Sequence, residues 1–170
     1  DINMNSKKIT IAGMGLIGGS LAKAFRRTNH DFTIVGVDTS RENLYLAKEE
    51  GTVDYISEDL TAEISDSKFI FLCTPINRIS EMLHSLSRFV RPGTIITDTG
   101  SIKSGIMTLA GQMLPGDVYF IGGHPMAGTE RSGYSASVDH LFENAYYILT
   151  PREDTPESTL EELKHLISST

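Results

Sequence analysis

At 170 residues, with 39% hydrophobic and 22% charged residues, the chain fits one globular domain with an ordinary core. No apolar run is long enough to cross a bilayer, no basic stripe suits a nucleic acid, and the single cysteine, Cys73, cannot form an internal disulfide. The formal net charge of −7 means that an anionic ligand must be held by local dipoles and backbone donors, not by the field of the whole protein.

Residues 1–7 read as a polar tail, native or an expression remnant, without a signal-peptide pattern, and the domain is expected over 8–170. Cys73 closes the apolar run Phe69-Ile70-Phe71-Leu72-Cys73 and reads as a core thiol. These features point to the cytoplasm.

Residues 8–12 form a first short apolar strand, and 16–28 a helix with apolar spacing at Leu16, Leu21, Ala24 and Phe25. A second strand over 33–37 ends in Asp38. Ser40 suits the N-cap of a helix to about Glu50, which Gly51 stops. A weak strand over 53–56 comes next. Residues 69–73 are continuously apolar, as in a parallel strand buried on both faces, and Pro75 ends the run. A helix over 78–89 and a Pro92-Gly93 turn lead to a strand over 94–97, closed by Asp98. Ser101 suits the cap of a helix over 102–113. A strand over 118–121 runs into a turn, Gly122-Gly123-His124-Pro125. Residues 126–144 are irregular and long for a connection, a sign of function. A strand over 145–149 and a helix over 156–167, started by Thr155, complete the chain.

Repeated strand–helix units predict an α/β fold, a doubly wound, mostly parallel sheet of the Rossmann dinucleotide-binding type. Ligands bind such sheets at the C-terminal edge of the strands. The glycines and polar residues that follow the strands, namely Gly13, Asp38, Thr74-Pro75, residues 98–101 and Gly123-His124, all fall on that edge.

Gly13-Met14-Gly15-Leu16-Ile17-Gly18 is a GxGxxG between a strand and a helix, the context the fingerprint requires. Gly13 permits the tight turn, Gly15 admits a pyrophosphate to the backbone, and Gly18 lets helix and strand approach. Leu16 and Ile17 open the helix, whose free N–H groups suit the phosphates. The bland alternative is a plain strand–helix turn. Asp38, twenty residues after Gly18, is placed for the adenosine ribose hydroxyls, which favours NAD over NADP; the alternative is a helix cap. Arg41 is the opposing signal, since a guanidinium can pair with a 2′-phosphate.

Two further segments, 98–103 (Asp-Thr-Gly-Ser-Ile-Lys) and 122–133 (Gly-Gly-His-Pro-Met-Ala-Gly-Thr-Glu-Arg-Ser-Gly), join Gly15-Leu16-Ile17-Gly18-Gly19-Ser20 in a chain that resembles the prephenate/arogenate dehydrogenase family from about residue 8 to 151. The resemblance implies a nucleotide-binding domain followed, in the family, by a helical domain that makes the protein a homodimer. It also implies oxidative decarboxylation of prephenate to 4-hydroxyphenylpyruvate in tyrosine biosynthesis. A hydride leaves ring C4 for the nicotinamide of NAD, the C4 hydroxyl gives up its proton, and carbon dioxide departs as the ring becomes aromatic.

His124 suits the proton acceptor, because a neutral imidazole can take a hydrogen bond and then a proton near neutral pH. The resemblance assigns it that role; otherwise it fills a turn. Ser101 suits a hydrogen bond to the substrate hydroxyl or the nicotinamide ribose, beside its capping role. The resemblance links Glu130 to substrate access, although an exposed glutamate is usually just solvated. Thr74 and Pro75 are expected beside the nicotinamide at the switch point between strands, or as strand terminators only. Lys103 steadies its loop, and Lys103 and Arg131 are the cations nearest the site. His30, His84, His140 and His165 read as surface or interface residues, and no metal site is expected.

Arogenate dehydrogenase is the nearest alternative. A non-catalytic NAD-sensing module would need the glycine loop and Asp38 but neither His124 nor Ser101. A β-hydroxyacid-type reductase would place a catalytic lysine on a following helical domain. A Ser101–His124–Asp98 hydrolase lacks the GxSxG elbow.

Overall fold

The computed structural model describes residues 7–28, 31–128 and 130–170. The tail up to residue 6 and His30 lie outside the described residues. The elements run β1 (Lys8–Ala12), α1 (Leu16–Thr28), β2 (Thr33–Val37), α2 (Arg41–Glu49), β3 (Tyr55–Ser57), β4 (Phe69–Leu72), α3 (Ile76–Ser87), β5 (Ile95–Asp98), α4 (Ser104–Met113), β6 (Tyr119–Pro125), β7 (Tyr147–Thr150) and α5 (Glu157–Ser168). Single 3-10 turns at Ala62–Ile64 and Tyr134–Ala136 were not anticipated from sequence.

The strands form one seven-stranded sheet in the order β3-β2-β1-β4-β5-β6-β7. The first six pair in parallel, and β7 runs antiparallel to β6. The expected doubly wound Rossmann architecture is therefore present. Side chains alternate across a strand, and this sheet uses both faces. Ile9, Ile11, Phe69, Phe71 and Ile95 pack toward α1, α2 and α5, where they meet Leu21, Phe25, Leu44 and Leu163. Ile70, Leu72, Ile96 and Phe120 pack toward α3 and α4, against Ile79, Leu83, Leu86 and Ile106. Among the described residues, no helix is long and apolar enough to cross a membrane.

Several boundaries depart from the sequence reading. β6 runs on through Gly122-Gly123-His124-Pro125, read above as a turn, because β7 pairs with those residues from Gly122↔Thr150 to Pro125↔Tyr147. Helix α4 starts at Ser104 with Lys103 at its N-cap position and no side-chain cap bond, so Ser101 does not cap it. The buried Asp98 carboxylate takes the Gly100 N–H at 3.1 Å and Lys103 at 2.5 Å, holding the loop out of the helix. Thr155 does not start α5 either: its hydroxyl accepts from the Arg152 N–H, and Pro156 occupies the cap position. Val53 is core, but the third strand begins only at Tyr55. Ser40 caps α2 as expected, accepting from the Asn43 N–H at 3.2 Å.

Candidate functional site

The chain leaves β1 for β2 on one side of it, while β4 lies on the other, so the sheet's switch point falls between β1 and β4. The glycine loop sits there. Gly13 has φ +97°, a left-handed conformation, and a Cβ would lie 2.4 Å from the Cys73 carbonyl oxygen. At Gly18 a Cβ would come within 1.8 Å of the Gly13 carbonyl oxygen, so only glycine lets α1 start this close to the loop. The Cβ position of Gly15 has nothing within 4 Å. The loop is thus closed toward the sheet and open toward the ligand edge. Leu16 and Ile17 begin α1, whose first N–H groups have no intrahelical partner. Backbone donors, a helix N-terminus and an open glycine fit a dinucleotide pyrophosphate.

Asp38 follows β2 and is partly buried. Its Oδ2 accepts from the Met14 N–H at 2.7 Å and its Oδ1 from the Ser40 N–H at 2.9 Å. The carboxylate therefore braces the glycine loop from the neighbouring strand. Arg41 is exposed and ion-paired with Glu58, which raises the guanidinium pKa through that hydrogen bond and charge. The cation that argued for a 2′-phosphate already has an anionic partner.

At the end of β4, the Thr74 side chain abuts the loop, its Cγ2 lying 3.0 Å from the Cβ position of Gly13. Pro75 takes the N-cap position of α3, which starts two residues earlier than expected. Burial pushes the Cys73 thiol up to about 12 despite a hydrogen bond from Thr99, with Asp98 adding to the rise. Cys73 packs against the core, as expected, and is partly buried.

The second half of the site is organised by Asp98, 2% exposed at the end of β5. Beyond Gly100 and Lys103, its Oδ1 accepts from the Gly123 N–H of β6 at 3.0 Å. A Cβ on Gly122 would meet Lys103 Cδ at 3.1 Å, whereas one on Gly123 would meet the Tyr147 ring at 3.2 Å. Strand alternation then puts His124 on the Lys103 side of the sheet, beside its cross-strand partner Ile148. His124 Nδ1 is buried and has no hydrogen-bond partner among the described residues. The Tyr147 hydroxyl is the other such atom; burial holds it well above the usual phenol range, with Cys73 and Asp98 adding to the shift.

The structure brings the glycine loop, Asp38, Thr74, Pro75, Ser101 and His124 to one sheet edge, with Ser101 exposed and His124 half-buried. It does not assemble a Ser101–His124–Asp98 triad, since Asp98 spends its oxygens on two backbone N–H groups and Lys103. Glu130 is exposed beyond β6, and His84, His140 and His165 are exposed on the periphery. A groove of 890 Å³ between β7 and α5, lined by Phe142, Leu149, Leu160 and Ile167, touches neither the glycine loop nor His124.

Two features escaped the sequence reading. The sequence places Asp98 at a strand end and in the 98–103 motif but gives it no bracing role, although Asp followed by Gly two residues on is a recognisable Asx-turn signal. Tyr134 had no local signal at all. It is fully buried, and its hydroxyl lies 2.8 Å from Thr52 Oγ1 and 2.5 Å from Glu50 Oε2. With the Val138 N–H donating to Ser20 at 3.1 Å, it straps the irregular 126–144 segment over α1 and α2.

Comparison with known proteins bears on this arrangement. Residues 21–170 match the family described as "Prephenate dehydrogenase, nucleotide-binding domain". A prephenate dehydrogenase of Bacillus subtilis is 38% identical over 170 residues, covering 98% of this chain and 46% of the relative. The crystal structure of prephenate dehydrogenase from A. aeolicus in complex with hydroxyphenyl propionate and NAD+ superposes with a TM-score of 0.88 at 31% identity, over 98% of this chain and 58% of that one. Synechocystis arogenate dehydrogenase gives 0.86 at 39%, over 95% and 56%. The chain spans about half the length of the curated relatives it matches. It belongs to the prephenate dehydrogenase family and comprises that family's nucleotide-binding domain.

Proposed function

We propose that this chain is the NAD-binding half of a cytoplasmic prephenate dehydrogenase that converts prephenate to 4-hydroxyphenylpyruvate. His124 carries the reading. It stands on the ligand edge, fixed by the Gly123–Asp98 bond and the β7 pairing, with a buried ring nitrogen that has no hydrogen-bond partner among the described residues. Buried polar atoms without partners are rare and call for an explanation, which a bound ligand at this edge supplies for His124.

Bound NAD supplies the hydride acceptor for ring C4. Asp38 receives the adenosine ribose hydroxyls while it braces the glycine loop, and the N–H groups opening α1 take the pyrophosphate. Thr74 and Pro75 border the nicotinamide position, and Ser101 orients the nicotinamide ribose or the substrate hydroxyl. His124 accepts the C4 hydroxyl proton as the hydride leaves. The electron pair of the departing carboxylate then enters the ring, and the phenol oxygen takes the proton back.

Prephenate carries two carboxylates. Lys103, one of the two cations nearest the site, is bound to the buried Asp98. An arginine fork suits a carboxylate better. The resemblance implies that the substrate's carboxylates are met by an arginine of the helical domain that, in the family, completes the cleft and dimerises the protein. An apolar rim supports this: Ile76, Ile102, Met126, Tyr146 and Ile148 are all exposed, between 48% and 81%, around the C-terminal edge.

Arogenate differs from prephenate only in an amine replacing the side-chain keto group, and the Synechocystis relative keeps that reading in view. The test is to assay the intact protein with prephenate and arogenate, each with NAD and NADP. Fastest NADH formation from prephenate with NAD is expected; turnover of neither substrate contradicts the proposal.

A further inference from the structure

We infer that Asp98 is a positioning residue, whose carboxylate holds the Ser101 loop and the His124 strand in one fixed relation; this rests on the dehydrogenase reading above. Its three contacts fall on Gly100, immediately before Ser101, on Lys103, two residues after Ser101, and on Gly123, immediately before His124. One side chain, 2% exposed, is thus bonded to both sides of the candidate site.

The Gly123 bond also solves a local problem. The β5–β6 ladder pairs Ile95–Thr97 with Tyr119–Ile121 and stops there, while β6 continues toward β7. The carboxylate supplies the acceptor that the ladder no longer provides. Closeness is enforced as well, because a Cβ on Gly123 would lie 2.4 Å from the Asp98 carbonyl oxygen. A buried ion pair is poor value as a stabiliser, since the desolvation of both charges offsets most of their attraction. Two charges and two backbone donors gathered between Ser101 and His124 therefore serve alignment. A catalytic group displaced by about 1 Å can lose about 100-fold in rate.

The test uses the intact protein with Asp98→Asn and Asp98→Ala. Asparagine keeps an oxygen for the Gly123 N–H but turns its amide toward the Gly100 and Lys103 donors, so the Ser101 loop is released first; alanine releases both sides. Turnover should fall for asparagine and fall further, by about 100-fold, for alanine. NAD affinity measured by calorimetry should fall far less than turnover in both, because the glycine loop and Asp38 are untouched. Unchanged turnover, or a turnover loss matched by an equal loss of NAD affinity, overturns the inference. Hydrogen exchange at the Gly123 amide of folded wild type needs neither turnover nor a folded variant. Strong protection, kept in Asp98→Asn and lost in Asp98→Ala, supports the tether, and exchange at exposed-loop rates in wild type overturns it. Absence of wild-type turnover counts against the dehydrogenase reading, and the exchange measurement still decides the tether.

Discussion

Asp38 and Asp98 finish their strands in the same way. Each accepts the N–H of the residue two positions on, Ser40 at 2.9 Å and Gly100 at 3.1 Å, and each reaches across to a backbone N–H of the adjacent strand or loop, Met14 at 2.7 Å and Gly123 at 3.0 Å. Two carboxylates thereby brace the two halves of the ligand edge. Asp38 keeps the cofactor loop in place, and Asp98 does so for the segments carrying Ser101 and His124.

Replacing Asp38 tests the cofactor assignment. Asp38→Ser removes the charged acceptor for the ribose and one brace of the glycine loop. Hydrogen bonds to charged groups contribute about 1.5–3 kcal/mol, so NAD should bind about 10- to 100-fold more weakly. Discrimination against NADP should also relax. Calorimetric titration with both cofactors reads this, and tighter binding of NADP by the wild type would mean that Arg41 governs the site.

His124→Asn tests the proton acceptor. Losing a general base typically costs about 10²–10⁴-fold in rate. In the intact protein, turnover should fall on that scale while NAD binding stays close to wild type. Near-normal turnover would remove His124 from the chemistry.

Some of this was legible in the sequence because its signals are local. β1, α1 and β2 fall where the apolar periodicity and the glycine loop place them. The glycines of 122–123 misled for the opposite reason. Glycine and proline mark turns in a sequence, yet here Gly122 and Gly123 clear space for Lys103 and the Tyr147 ring in a continuing strand. Ser101 had the chemistry of an N-cap, but the Asp98 carboxylate competed for its loop. The anchoring of 126–144 depends on Tyr134 meeting Thr52 across 82 positions, a contact that no window along the chain reveals.

That anchor has a measurable cost of removal. Tyr134→Phe loses a buried hydroxyl with two partners and should cost about 1–3 kcal/mol, the range for leaving buried partners unsatisfied. Tyr134→Ala opens a cavity as well and should cost about 3–5 kcal/mol. Denaturant unfolding measures both, and hydrogen exchange over 130–144 should rise in the alanine variant. Equal stability of all three proteins would show that the strap is not held there.

Acid sensitivity should trace in part to Asp54. Burial alone would raise its pKa. The Ile34 N–H at 2.8 Å, Arg26 at 2.6 Å and the Lys48 charge outweigh it and leave the carboxyl lowered. A group lowered in the folded state contributes stability that is present above its unfolded pKa, about 3.9, and lost as pH falls through the folded value. Asp54→Asn should therefore be less stable than wild type near neutral pH, and the difference should shrink below about pH 4. Thermal melts across pH check this; a difference that grows toward acid would contradict it.

The most direct test of the account compares the 170-residue chain with the intact protein. NAD binding is followed by titration, and NADH formation by absorbance with saturating prephenate. On the proposed reading both bind NAD and only the intact protein forms NADH at a useful rate, because a helical domain would supply the cations for the two substrate carboxylates. Robust NADH formation by the 170-residue chain alone would show that it holds a complete substrate site, and would contradict the two-domain account.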